Sequence, residues 1–474
     1  MMKQICLLVS LFLIPMIVFS QDRIAENINQ QSTTNSAKHF TIQDLNVAST
    51  RIRSTKIGEV EEFAIQQHVL RTMQDEDFIE LDIELFDEFY TVLLYQNNAI
   101  EPTFTVKEVH GETTTDVTTS IQQSKNYWGI VKGNEESIVT LSLTDARMVL
   151  TISTDEKQLI AHPKEENSRF YVTYNTAQIN VPTPENMCSA LEATSTQTSQ
   201  SSPPVQGNPD ALGCREVTTV PITFVADFDM YQDFGSSTNN VTNYTTAMVN
   251  QVAAMYADED IIITMADLFV NTAEDGYPHT SSIDDLNHFG NNQPNGQGRL
   301  NHLLSTNNNN LGGVAYLNVI CHNQFNYGYS NIHGSFNDYP TYSWDVLVTG
   351  HELGHNLGSG HTHGCYWTNG TIDDCGNIAA VNGGSPPEGD ACWDENNPKI
   401  PANGGSMMSY CHLLNGVGIN LNVGFLETGD RMRDRIAAAS SCLPTVGVSE
   451  LSTLAATTNY REITANRFCE NGDW

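Results

Sequence analysis

His351, Glu352, His355, Gly358 and His361 fall within eleven residues of a 474-residue chain, and their types and spacing can assemble a metal site. On a helix, residues four apart lie one turn above each other, about 6 Å along the axis. His351 and His355 can therefore offer imidazoles to one ion. A third ligand six residues further on cannot share that face unless the helix stops. Gly358 supplies the stop, because glycine tolerates the left-handed conformation that closes a helix. The returning chain then delivers His361. Three neutral ligands leave one position of a tetrahedral zinc open to water, which is a catalytic arrangement. Zinc lowers that water's pKa to about 7, so Glu352, facing it, can take its proton and later pass it to a leaving amine. His363 lies two residues beyond the third ligand and is read as a loop residue.

The elements that must position these residues can be sketched from pattern. A buried-strand pattern covers Val220 to Val225, followed by a helix from Asn240 to Tyr256. Ile261 to Val270 and Gly313 to Cys321 read as further strands, the second close after the Asn-rich loop Asn307 to Asn310. The motif helix is expected from about Ser343 to Leu357. From Gly358 to Gly405 the chain is rich in Gly, Asn and Pro and reads as loop. A last helix is expected from about Glu427 to Ser441. The fold expected for this part is α/β (α+β): a mixed sheet, the active-site helix and an irregular C-terminal lobe.

Upstream, Ile138 to Leu143 and Arg147 to Ile152 alternate as paired strands across a short turn, within a β-rich region. Residues 1–20 carry Lys3, an apolar run from Ile5 to Phe19 and small residues before Gln21, the pattern of a cleaved secretory signal. Residues 21–188 are read as a prodomain and 189–213, rich in Ser, Thr, Gln, Pro and Gly, as an exposed, protease-sensitive linker. Residues 214–445 are the expected catalytic domain, and 446–474 form an unassigned tail. The net charge of −34 disfavours nucleic acid and anionic membranes as partners. Of ten cysteines, Cys6 leaves with the signal and seven lie between Cys214 and Cys442, so disulfides are expected in an oxidising compartment.

The eleven-residue motif resembles that of the metzincin metallopeptidases, which pair it with a methionine-containing turn beneath the metal. Gly404 to Cys411 looks like that turn, with Met408 as the apolar floor. Val220 to Tyr231, the helix ending at Tyr256, Gly313 to Tyr316 leading to Cys321, and the terminal helix ending in Cys442 are similar to the reprolysin-like (adamalysin) group. Thr362 stands where that group often has Asp. In some metzincins a Tyr two residues after the Met approaches the zinc, which makes Tyr410 a candidate extra ligand or transition-state donor. The resemblance implies disulfides, Cys321–Cys442 foremost. Cys365, Cys375, Cys392 and Cys411 make two more, with their three pairings left open. It also implies a zymogen: Pro184 to Cys188 resembles the segment whose cysteine thiolate covers the zinc, although Ser189 stands where Gly is common and a Cys188–Cys214 disulfide is the alternative.

The expectation is a secreted, monomeric zinc endopeptidase made as a zymogen, using one catalytic Zn2+ and a zinc-bound water activated by Glu352. Extended polypeptide substrates would add a strand to the edge Gly313 to Cys321, with selectivity from the loop between Cys411 and Phe425. Calcium is a second candidate cofactor, but no spacing in the Asp- and Asn-rich loops names its ligands. The rival readings are an extracellular binding protein with a vestigial zinc site and a zinc hydrolase of non-peptide substrates.

Overall fold

The computed structural model describes residues 23–44, 46–54, 58–165, 168–176, 190–192, 217–307, 309–334 and 341–446. The signal segment, Cys188, Cys214, most of the 189–213 segment and residues 447–474 lie outside the described residues.

Two sheets organise the chain. The first has ten strands among the described residues and is antiparallel apart from the pairing of Lys38–Thr41 with Phe78–Leu85. Its hairpin Asn134–Leu143 to Met148–Ser153 pairs Leu143 with Met148 and Leu141 with Leu150. Alternation along Phe78–Leu85 sends Ile79, Leu81, Ile83 and Leu85 into one core with Tyr127 and Tyr171.

The second sheet carries the site. Its central strand, Val217–Ala226, lies between Ile262–Asn271 and Leu300–Ser305, and all three run parallel. Tyr327–Asn331 continues the parallel set, and Gly313–Leu317 joins it antiparallel. A strand buried on both faces is mostly apolar rather than alternating, which explains the Val220 to Val225 run; its one polar residue, Thr223, is buried and donates to Asp267. The strand expected over Gly313 to Cys321 stops at Leu317, because Asn318 and Cys321 take positive φ.

Both outer positions of this sheet are filled from the N-terminal region. Ile100–His110 pairs parallel with Ile262–Asn271, and Thr113–Asp116 lies outside it. At the other end Ala190–Glu192 pairs parallel with Gly313–Leu317.

The helix Thr238–Asp258 is buried on nearly every side. It has no charged residue before Asp258, and its buried Thr242, Thr245 and Thr246 hydroxyls bond the carbonyls four residues back at 2.8–2.9 Å. One continuous core joins it to Ile24 and Ile28 of the helix Arg23–Thr34 and to Tyr95 and Trp128 of the first sheet. The motif helix spans Thr341–Asn356 and the last helix Glu427–Ala438. The stretch read as loop contains one helix, Cys375–Asn382. Three disulfides brace this irregular lobe: Cys321–Cys442, Cys365–Cys392 and Cys375–Cys411. Among the described residues no helix is long and apolar enough to cross a membrane.

Candidate metal centre

The motif helix ends as its glycine demands. Gly358 has φ +103°. The Ser359 amide donates to Gly354 O (2.9 Å) and the Gly358 amide to His355 O (2.9 Å), which is the Schellman pattern. The chain reverses there, and His361 comes back over the helix.

His351, His355 and His361 converge. Their rings lie 4.7–5.4 Å apart, and one nitrogen of each falls within 4.8 Å of the others. Each ring has its Nδ1 against an oxygen acceptor: His351 on Met407 O (2.8 Å), His355 on Ser359 O (2.7 Å) and His361 on Glu388 Oε2 (2.8 Å). Those contacts place the proton on Nδ1 and leave Nε2 as the lone-pair nitrogen. Burial, with the neighbouring histidines adding to it, pushes His351 well below its ordinary pKa; burial first also takes His355 down to about 3 and lowers His361. All three are therefore neutral near pH 7. His351 Nε2 and His355 Nε2 face each other at 3.1 Å, and His361 Nε2 is buried with no partner among the described residues. Three lone pairs aimed at one point repel without a cation between them. Zinc, which prefers neutral imidazole at three positions of a catalytic site, fits this donor set.

Glu352 is fully buried and reaches across to the strand Gly313–Leu317. A Cβ on Gly313 would sit 2.2 Å from Glu352 Oε1, so the strand gives the carboxylate its room by having no side chain there. Gly354 does the same for Met408, whose sulfur would lie 2.5 Å from a Cβ at that position. Met408 is fully buried against the motif helix, and its carbonyl receives the Thr362 amide at 3.2 Å. Tyr256, from the buried helix, donates to Gly350 O at 2.6 Å.

Tyr410 lies inside the site, its ring 4.7 Å from His361, 4.8 Å from His363 and 5.9 Å from His351. His363 is more than a loop residue: it is buried, stacks on His361 at 5.0 Å, and sets its Nε2 3.2 Å from Glu388 Oε2. Glu388, which the sequence reading missed, thus receives both imidazoles on one oxygen and the Tyr366 hydroxyl on the other. Burial raises its carboxyl, but the bonds from His361 and His363 outweigh that and hold it well below the usual carboxylate range. Nothing in spacing marks Glu388, an acid in a loop 27 residues after His361. A carboxylate behind a metal-binding imidazole fixes its tautomer and raises its basicity. Glu388→Ala is therefore expected to weaken zinc binding by about 10–100-fold in competition with a chromophoric chelator. Unchanged affinity would mean that the Trp367 indole, which donates to His361 O at 2.9 Å, and the local packing hold the ring unaided.

A cavity of about 400 Å³ opens beside this cluster, lined by His361, His363, Glu388 and Tyr410 and reached by Ala190 from the edge strand. Cys375–Cys411 ties the helix Cys375–Asn382 to the residue following Tyr410 and so fixes the cavity floor.

Three converging imidazoles with a buried carboxylate beside them form a cluster that could hold one metal ion. Residues 217–416 match the family model Reprolysin_5, metallo-peptidase family M12. Over that stretch, less than half of its length, the chain is similar to the metallopeptidases of that family. Among solved structures, the crystal structure of metalloproteinase-II from Bacteroides fragilis is similar at 12% identity and a TM-score of 0.40, covering 70% of this chain and 91% of that one. A structure of a chaperone–substrate complex gives 12% identity and a TM-score of 0.30, covering 48% of this chain and 36% of that one. No curated protein matches the chain by sequence.

Proposed function

We propose that the chain is a secreted zinc endopeptidase held latent by its N-terminal region. The observation that carries this reading is the set of three Nδ1-anchored imidazoles converging beside Glu352. A bound zinc ion supplies Lewis acidity, polarising a scissile carbonyl and acidifying a water. Glu352, buried and aimed between the motif helix and the strand Gly313–Leu317, takes the proton from that water and returns it to the leaving amine. The backbone of Gly313–Leu317 aligns an extended substrate by strand addition. Tyr410, against His361 and His351, stands where a hydroxyl can donate to the oxyanion.

Latency is supported by the pairing of Ala190–Glu192 with Gly313–Leu317, which takes the edge a substrate needs. Cys188 would stand two residues before that strand in sequence, and its thiolate is the proposed cover for the metal. Secretion is supported by the signal-like residues 1–20 and by three disulfides, which persist in oxidising compartments.

The test is metal exchange on protein processed between residues 193 and 216. A strong chelator should abolish cleavage of a mixed peptide library, and one equivalent of zinc should restore it. Cleavage that persists in metal-stripped protein, or a processed, zinc-loaded protein that cuts no peptide, would overturn the reading.

A further inference from the structure

The N-terminal region grips the catalytic sheet at both edges, and the two grips differ greatly in strength. At the strand Gly313–Leu317 the pairing among the described residues is confined to Ala190, Leu191 and Glu192. At the strand Ile262–Asn271 the register runs Asp267 with Thr105 through to Asn271 with Val109. Asp267 there is fully buried and takes an ion pair from Lys107 (3.2 Å) and a hydrogen bond from Thr105 (2.6 Å). Thr264 donates to Glu101 at 2.7 Å.

The buried helix Thr238–Asp258 is tied in the same direction through Asn250. Its amide donates to Leu141 O (3.2 Å) and Ser142 Oγ (3.1 Å), and its Oδ1 accepts from Asn97 (2.8 Å). Its backbone carbonyl accepts from the Trp128 indole (3.0 Å). Every one of these partners lies upstream of residue 176. Without them the catalytic part would carry a buried Asn250 amide stripped of its partners, a buried Asp267 carboxylate that keeps Thr223 and Gln297 but loses its only cation among the described residues, an open edge strand and an apolar helix face in water.

We propose that cutting the chain between residues 193 and 216 frees the cleft by releasing residues 190–192 alone, while residues 23–176 remain as a permanent, noncovalent subunit of the working enzyme. The inference takes latency from the proposed function, but its subject is assembly, which can be read without catalysis. Activation is then an edge-strand displacement within a two-fragment particle, and the release of the N-terminal fragment plays no part in it.

The experiment uses the full chain with a site-specific protease sequence inserted between residues 193 and 216, in the Glu352→Gln form to prevent self-digestion. After the cut, both fragments should co-elute on size exclusion at the uncut volume at micromolar concentration. Hydrogen exchange should accelerate at 190–192 and stay slow over 100–110. Asn250→Leu in the same cut protein should lower the urea concentration at which the fragments separate. Separation of the parent fragments in buffer overturns the proposal, whether the catalytic fragment then stays folded or precipitates. So does a cut complex whose 190–192 amides remain as protected as before. If the complex behaves as expected but the Glu352 parent gains no peptidase activity with zinc, the assembly stands and the peptidase reading falls.

Discussion

Glu352→Gln should lower peptide hydrolysis by about 10²–10⁴-fold, the usual range for loss of a positioned general base, and should leave zinc binding at one ion per chain. The two readouts part company because Glu352 is not among the three converging nitrogen donors. It lies beside them, fully buried, with its carboxylate in the space that Gly313 leaves open. Glutamine has the same length and fits that space, so the fold is kept while the oxygen that takes a proton is lost. Peptide turnover and metal content measured on one preparation decide the matter. Turnover within a few-fold of the parent would remove Glu352 from the chemistry. A parallel loss of zinc would instead place the carboxylate in the metal's own coordination sphere.

The metal centre was legible in the sequence to the extent that it rests on side-chain type and local spacing. His351, His355 and the stop at Gly358 are helix periodicity and glycine stereochemistry, and both appear in the helix Thr341–Asn356 and its positive-φ end. The supports behind the imidazoles carry no such mark. Two are the carbonyls of Met407 and Ser359, a group that every residue possesses. The third, Glu388, is one acid among Asp390, Asp394 and Glu395, and only the folded loop brings it to His361. Gly313 was readable as part of a strand, but its purpose depends on where the Glu352 side chain ends.

The fold divides along the same line. Elements set by local pattern, such as Val217–Ala226 and Thr238–Asp258, fall close to where periodicity puts them. The pairing of Ile100–His110 with Ile262–Asn271 does not follow from pattern, because a parallel partner some 160 residues away leaves no local signature. One clue was present. Twenty residues from Thr238 to Ala257 hold no charge, and a helix without a charged face is covered on both sides. The cover is the first sheet and the helix Arg23–Thr34, which makes the catalytic core continuous with the N-terminal region.

That continuity gives Gly129→Ala an effect out of proportion to one methyl group. Gly129 sits in the strand Lys125–Val131, paired with Leu94 on one side and Val139 on the other, at a break in register before Val131. A Cβ there would lie 1.8 Å from Leu93 O and 2.9 Å from Leu94 Cα. Both are backbone atoms, so no rotamer change relieves the clash and the strands must part. Overpacking in a core typically costs about 1–3 kcal/mol, and the backbone clash puts this variant at or beyond the upper end. The neighbouring Trp128 holds Asn250 of the buried helix, so strain at residue 129 passes straight into the catalytic core. Calorimetry should therefore show one transition, lowered by on the order of 5 °C, with zinc release and loss of N-terminal structure falling together. If the melting splits in two, with zinc release staying at the parent temperature, the two regions fold independently and the shared core contributes little. A single transition with both signals moved means that the sheet around Gly129 and the imidazoles around the metal are parts of one cooperative unit.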